Sequence, residues 1–183
     1  ALQRMISPVI TGVGPIEGGV ALAAALGALE AQGASPDVIV SLGSAGSRTL
    51  DHAGIYQASA VSYRDMDCSA LGFPRGVTPF SSAPAILDLG PPIAGLRQAR
   101  LSSGANIVSG AAYDAIDADM VDMESYAHAR AALHFGTRLI ALRGISDGRA
   151  PLTGQLTDWT HTLEEIGDGL ARALEAVHAA LKG

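Results

Sequence analysis

Short apolar runs rich in β-branched residues alternate along this chain with stretches of helical period. That alternation restricts it to a layered α/β domain with a sheet covered on both faces. Strands are expected at residues 6–13, 38–40, 55–63, 120–121 and 138–142. Helices are expected at residues 15–32, opened by Pro15 and stopped by Gly33, and at 124–135, stopped by Gly136. The last helix has the clearest period: Trp159, Leu163, Ile166, Leu170, Leu174, Val177 and Leu181 recur at three- and four-residue spacing. Leu101 and Ile107-Val108 flank a turn of small residues. Residues 64–98 carry most of the prolines and read as a long loop with little regular structure.

At 183 residues the chain is long enough for one domain and short for two. No apolar run approaches the roughly 18 residues of a membrane span, and no signal-peptide pattern opens the sequence. Cys68 is the single cysteine, which excludes an internal disulfide framework and fits a reducing cytoplasm. Net charge is −6 and Lys182 is the only lysine, so nucleic acid is disfavoured as a partner. The five histidines are scattered without metal-ligand spacing.

Two acids stand out. Val121-Asp122-Met123-Glu124 places Glu124 at a helix start, and Arg143-Gly144-Ile145-Ser146-Asp147 places Asp147 just past an apolar strand. Strand ends in α/β sheets are where ligands bind. Either acid alone reads as structural, Glu124 at the positive end of a helix dipole and Asp147 capping a turn. Together, with Arg143 beside them to orient Glu124 by a charge-assisted bond, they suit a polar, hydroxylated small molecule.

Other motifs carry less. Thr11-Gly12-Val13-Gly14-Pro15 matches a dinucleotide fingerprint poorly and reads better as a tight strand-to-helix turn; a nicotinamide-dependent oxidoreductase rests on it alone. Gly43-Ser44-Ala45-Gly46 follows a buried strand, and its small residues would let a ligand approach the backbone. Asp65 and Asp67 read as acceptors that order a loop, and Cys68 as an apolar filler rather than a nucleophile. Ser44, Ser109 and Ser146 lack the setting of a serine hydrolase nucleophile.

In combination these segments resemble the 5′-methylthioadenosine/S-adenosylhomocysteine nucleosidases of the nucleoside phosphorylase/hydrolase superfamily. Val121-Asp122-Met123-Glu124 resembles that family's V-x-M-E, and Arg143-Gly144-Ile145-Ser146-Asp147 its R-A-I-S-D. Thr11-Gly12-Val13-Gly14 resembles S-G-I-G, and Gly43-Ser44-Ala45-Gly46 resembles T-G-S-A-G-G. Tyr63-Arg64-Asp65-Met66-Asp67, with Leu71-Gly72-Phe73 after it, is similar to Y-H-D-A-D and F-G-Y. The motifs fall in the family's order over most of the chain.

The resemblance implies a three-layer α/β/α sandwich with a central mixed, mostly parallel sheet. It also implies a cytoplasmic homodimer that hydrolyses the N-glycosidic bond of a purine nucleoside such as 5′-methylthioadenosine or S-adenosylhomocysteine, without cofactor or metal. Asp147 would protonate the leaving purine, with Ser146 placing it. Glu124 would accept hydrogen bonds from the ribose hydroxyls and favour the cationic sugar, with Met123 against the sugar face. Ser44, Ala45 and Gly46 would line the sugar and water side. Asn106 and Ile107 would meet the base, Trp159 would close the pocket for the 5′ substituent, and Arg143 would belong to the same substrate-binding set.

Phosphorylases of the superfamily carry an arginine where this chain has Ser41, which favours water as nucleophile. Arg48 and Arg64 keep a purine nucleoside phosphorylase open, and a non-catalytic nucleoside-binding protein is the other alternative. The chain departs from the family's pattern at three places. Residues 1–183 read as one nucleosidase-like domain without the family's N-terminal strand and the acidic stretch after it that carries the water-activating glutamate; either a preceding segment carries that glutamate or the protein lacks the base, and Glu17 aligns elsewhere. Asn106 stands where the family stacks a Phe, a loss of about 1 kcal/mol in stacking. Leu71 stands where the family has an aromatic that a partner subunit lends to the pocket.

Overall fold

The computed structural model describes residue 2 and residues 5–182. The first regular element is helix α1 (Pro15–Glu30), followed by β1 (Val38–Gly46) and β2 (Ile55–Tyr63). Next come β3 (Ile86–Asp88), β4 (Arg97–Ser103) and β5 (Met120–Asp122). The chain continues through α2 (Ser125–His134), β6 (Arg138–Asp147), a single turn α3 (Thr157–Thr160) and α4 (Leu163–Lys182).

The sheet is mixed. Its two long ladders, β1 with β6 and β2 with β4, are parallel, as is the short β4–β5 pairing; β1–β5, β2–β3 and β2–β6 are antiparallel. The order β3-β2-β4-β5-β1-β6 is completed by the additional β2–β6 pairing, which closes five strands into a ring and leaves β3 on the outside of β2. A shift in register between Ala58 and Ala60 marks a bulge at the middle of β2. This lets β2 pair with β6 through residues 55–57 and with β3 through residues 60–62. The expected α/β class and mixed sheet are therefore found, and ring closure is an addition that the sequence pattern does not announce.

Helices cover both sides of β6, whose residues are buried from Leu139 to Ser146. Leu139, Ala141 and Ile145 join a core with Tyr126, Ala129 and Ala132 of α2. Ile140 and Leu142 join another with Ile166, Leu170 and Val177 of α4. This is the period of two of a strand buried on both faces. α1 packs onto α2 through Leu22, Leu26 and Ala131.

Several boundaries differ from the sequence reading. Residues 6–13 form no strand: Val9, Ile10 and Val13 are 61%, 80% and 71% exposed, and no other strand pairs with them. Their β-branched composition favours extended backbone, but a strand needs a ladder partner to satisfy its N–H and C=O groups. Residues 64–98 are not wholly irregular, since they contain β3 and the start of β4. β6 runs through Asp147 instead of stopping at Leu142, because Gly144 packs closely on Ile166 and stays in the ladder. The expected last helix breaks between α3 and α4, and Trp159 lies on the separate turn.

Candidate active site

The carboxyl ends of β1, β4, β5 and β6 converge. Gly46, the last residue of β1, pairs with Val121 of β5 on one side and with Asp147 of β6 on the other. One glycine thus ties together the segments that carry the two acids.

Asp147 is aimed by a bulge. In the β1–β6 ladder Ala45 faces Ile145 and Gly46 faces Asp147, so Ser146 is the extra residue. Strict alternation would send Asp147 to the face of Ile145, into the apolar cluster with α2. The bulge releases it to the rim, where it is half-buried. Ser146, 1% exposed, donates its hydroxyl to Asp147 Oδ1 over 2.6 Å. The Ser146 carbonyl in turn accepts from His52 Nε2 at 2.8 Å, which pins the bulge.

Glu124 is the N-cap of α2 and is held from another helix. The backbone N–H of Gly14, the N-cap of α1, donates to Glu124 Oε1 over 2.7 Å. Gly14 sits at φ 95°, a conformation open to glycine. Burial pushes the Glu124 carboxyl above its ordinary range; the Gly14 N–H and the Arg143 charge pull the other way, and Asp122 adds to the rise. The carboxylate therefore stands at the positive end of α1. A Cβ on Gly18 would lie 3.3 Å from the Glu124 methylenes and 3.1 Å from His128 Nε2, so the first turn of α1 lies directly against both.

Arg143 corrects the sequence reading. It does not reach Glu124. Nε donates to Asp122 Oδ2 at 3.0 Å, Nη1 to the Ser41 and Leu142 carbonyls, and Nη2 to the hydroxyls of Ser41 and Ser125. These contacts use all five N–H groups of a guanidinium that is 2% exposed, leaving none for a ligand. Arg143 is a structural cation beneath the site. Asp122 also accepts from the backbone N–H and hydroxyl of Ser125, at 3.1 and 2.6 Å, and so fixes the first residue of α2 beside Glu124.

The other expected residues fall as follows. Ser44 is partly buried, and Ala45 and Gly46 are buried in the β1 end. Met123 is partly buried between Asp122 and Glu124. Asn106 is exposed and anchored by Arg64, which donates to its Oδ1 at 3.1 Å and its carbonyl at 2.5 Å. Ile107 beside it is 69% exposed, and Trp159 is 38% exposed on α3. Asp65 accepts from the Ala105 N–H, and Asp67 from Ser69 and Arg75, so both order loops. Among the described residues no group of three or more His, Cys, Asp and Glu converges on a metal position.

Two residues not singled out from sequence belong to this region. His128, one helical turn after Glu124, is 6% exposed; its Nδ1 meets the Ser41 hydroxyl at 3.0 Å, and its Nε2 has no partner. Ser41 Oγ accepts from Arg143 and so donates to Nδ1, which places the proton on Nε2. Burial, with the Arg143 charge, lowers the His128 pKa to about 4. The four-residue spacing from Glu124 was a readable sign of a shared helix face. Tyr113, in a 3-10 turn (Gly110–Ala115), is 6% exposed and its hydroxyl has no partner; no sequence signal pointed to it.

The sequence model described as the Phosphorylase superfamily matches residues 92–183, half of the chain, and the protein belongs to that superfamily. No curated protein sequence matches it. Among solved structures it is similar to a variant of Helicobacter pylori MTAN with 5′-methylthioadenosine in the active site. The TM-score is 0.76 at 20% identity, over 92% of this chain and 78% of that one. It is similar to the native futalosine hydrolase of Helicobacter pylori strain 26695, with a TM-score of 0.76 at 20% identity, over 93% and 77%. The 5′-methylthioadenosine/S-adenosylhomocysteine nucleosidase of Colwellia psychrerythraea 34H, in complex with adenine, gives 0.67 at 22% identity, over 87% and 69%. At these identities the likeness is one of fold.

Proposed function

We propose that this protein hydrolyses the N-glycosidic bond of a purine nucleoside, with Asp147 as general acid and Glu124 as the ribose-hydroxyl acceptor. The observation that carries this reading is the convergence at Gly46 of the strand ends bearing both acids, one gripped by Ser146 and the other by the Gly14 N–H. The Asp147 carboxyl gives its proton to the base as the C–N bond breaks and the bonding pair leaves with the purine. Glu124 favours the cationic sugar, and water adds to the anomeric carbon and loses a proton, which through solvent restores the Asp147 carboxyl. Met123, Ser44, Ala45 and Gly46 line the sugar side, Asn106 and Ile107 the base side, and Trp159 the 5′ side.

Water is preferred to phosphate as nucleophile because Ser41 supplies no cation and the two arginines weighed for a dianion, Arg48 and Arg64, are already engaged. Ser41 is buried and committed to His128 and Arg143. Arg64 donates to the carbonyls of Ser102, Gly104, Asn106 and Asp122, and Arg48 pairs with Asp114 at 2.7 Å. The substrate is an adenine nucleoside such as 5′-methylthioadenosine or S-adenosylhomocysteine, which would give the protein a place in methionine salvage. In the same reading α2 and α4 are outer layers about the sheet, and the protein is a cytoplasmic homodimer. Exposed Ile16 and Val20, one turn apart on α1, suit a second copy.

The test is incubation with 5′-methylthioadenosine, S-adenosylhomocysteine, futalosine, adenosine and inosine, with and without phosphate, following free base. Base release independent of phosphate is expected. Release that requires phosphate would make the protein a phosphorylase, and binding without release would make it a nucleoside-binding protein. Light scattering after size-exclusion chromatography tests the dimer, with Val20→Asp expected to yield monomer.

A further inference from the structure

The Tyr113 hydroxyl is a buried polar group with no use in the mechanism above. It is inserted between the ends of β1 and β6. A Cβ on Gly46 would collide with it, and a Cβ on Gly148 would come within 2.5 Å. The same hypothetical Cβ on Gly46 lies 3.0 Å from Asp147 Oδ2. The phenol oxygen and Oδ2 therefore crowd one space over Gly46 that is too small for a methyl group. The two carboxyl oxygens differ: Oδ1 accepts from Ser146, while Oδ2 is the one turned toward this space. A buried hydroxyl without a partner costs free energy unless the working state supplies one.

We propose that Tyr113 is a positioning residue for Asp147, its unpartnered hydroxyl turning to donate to Oδ2 over Gly46 in the working state. Ser146 and Tyr113 then grip the two oxygens separately. The donated bond stabilises the carboxylate left when the proton has gone to the base, so the acid gives up its proton more readily. The surroundings suit a neutral phenol. The ring packs with Val108 and Val121, and the Arg48 guanidinium lies 5.3 Å from its centroid, itself paired with Asp114. Burial and then the Asp147 charge push the phenol pKa up, with Arg48 and Arg64 opposing. The role assigned to Tyr113 rests on Asp147 being the acid of the proposed reaction.

Tyr113→Phe keeps the ring and removes only the hydroxyl. Its kcat is expected to fall about tenfold, the worth of a hydrogen bond to a charged group, with KM nearly unchanged. The alkaline limb of its kcat/KM profile is expected to move to higher pH. A filler role would leave both unchanged, and that result overturns the proposal. A second readout does not need turnover: the carboxyl stretch of Asp147 in 13C-aspartate-labelled protein, assigned by its loss in Asp147→Asn. That band should differ between wild type and Tyr113→Phe, and an unmoved band overturns the proposal. If no nucleoside is cleaved by wild type, the proposed function falls while the band still decides the role of Tyr113. Should Tyr113→Phe not fold, 3-fluorotyrosine at this position strengthens the donor, and the same band must shift.

Discussion

Arg143 Nε donates to Asp122 Oδ2 over 3.0 Å where both side chains are almost sealed from water. The pair is the foundation of the site, because Asp122 holds Ser125 and Arg143 holds Ser41, and these flank Glu124 and His128. Asp122→Ala leaves a buried guanidinium uncompensated and is expected to cost about 3–5 kcal/mol in urea unfolding. Asp122→Ala combined with Arg143→Met removes the whole ion pair and should recover part of that loss. A double variant no more stable than the single one would show that the charge is compensated elsewhere.

How far the sequence revealed this arrangement depends on the range of the interaction. Glu124 and Asp147 were legible because a helix start and a strand end are local patterns, as was the amphipathic period of α4. The partner of Arg143 was not. Asp122 and Glu124 are both within reach of a nearby arginine in a linear reading, and strand pairing alone turns Arg143 to Asp122. The bulge at Ser146 was equally silent, because it is a mismatch between two strands and not a property of either. Residues 6–13 misled for a related reason: β-branched composition expresses a preference, and the ladder partner decides.

Glu124 stores a cost for function. Burial raises its folded-state pKa above the unfolded value, so the native state holds the proton to higher pH than the unfolded chain. Stability therefore falls as pH rises through that window, and the penalty persists at neutral pH. Glu124→Gln keeps an oxygen for the Gly14 N–H and removes the buried charge. It is expected to melt higher than wild type at pH 7, with the difference vanishing at acid pH. Turnover should fall by about a hundredfold or more, as when a group that stabilises a developing charge is lost. Thermal melts at the two pH values, with initial rates, check both halves.

His128 makes the opposite contribution. Its folded-state pKa is about 4 against an ordinary 6.5, so between these values the unfolded chain binds the extra proton. Stability then declines as pH falls from 6.5 toward 4, by an amount of roughly 3 kcal/mol at most. Asp122 and Arg143 both face this histidine, and their opposed charges act on it together. His128→Gln should flatten this part of the stability profile in urea titrations between pH 4 and 7. An unchanged slope would assign the acid lability to other groups.

Gly46 is where the two strand ends and the buried phenol meet, and it tolerates no side chain. In Gly46→Ala the new methyl would collide with the Tyr113 hydroxyl and press on Asp147 Oδ2 and Val121 Cγ2, at 3.0 and 3.3 Å. Overpacking of this kind costs about 1–3 kcal/mol, and the acid would be displaced from its position beside the base. Gly46→Ala should therefore lose both stability and turnover. The two losses separate in the double variant with Tyr113→Phe. Removing the colliding oxygen should return much of the melting temperature, since the strained contact is with that atom. Turnover should stay low, since neither the hydroxyl nor the original position of Asp147 is restored. Recovery of turnover with stability would mean that the hydroxyl does nothing beyond occupying space.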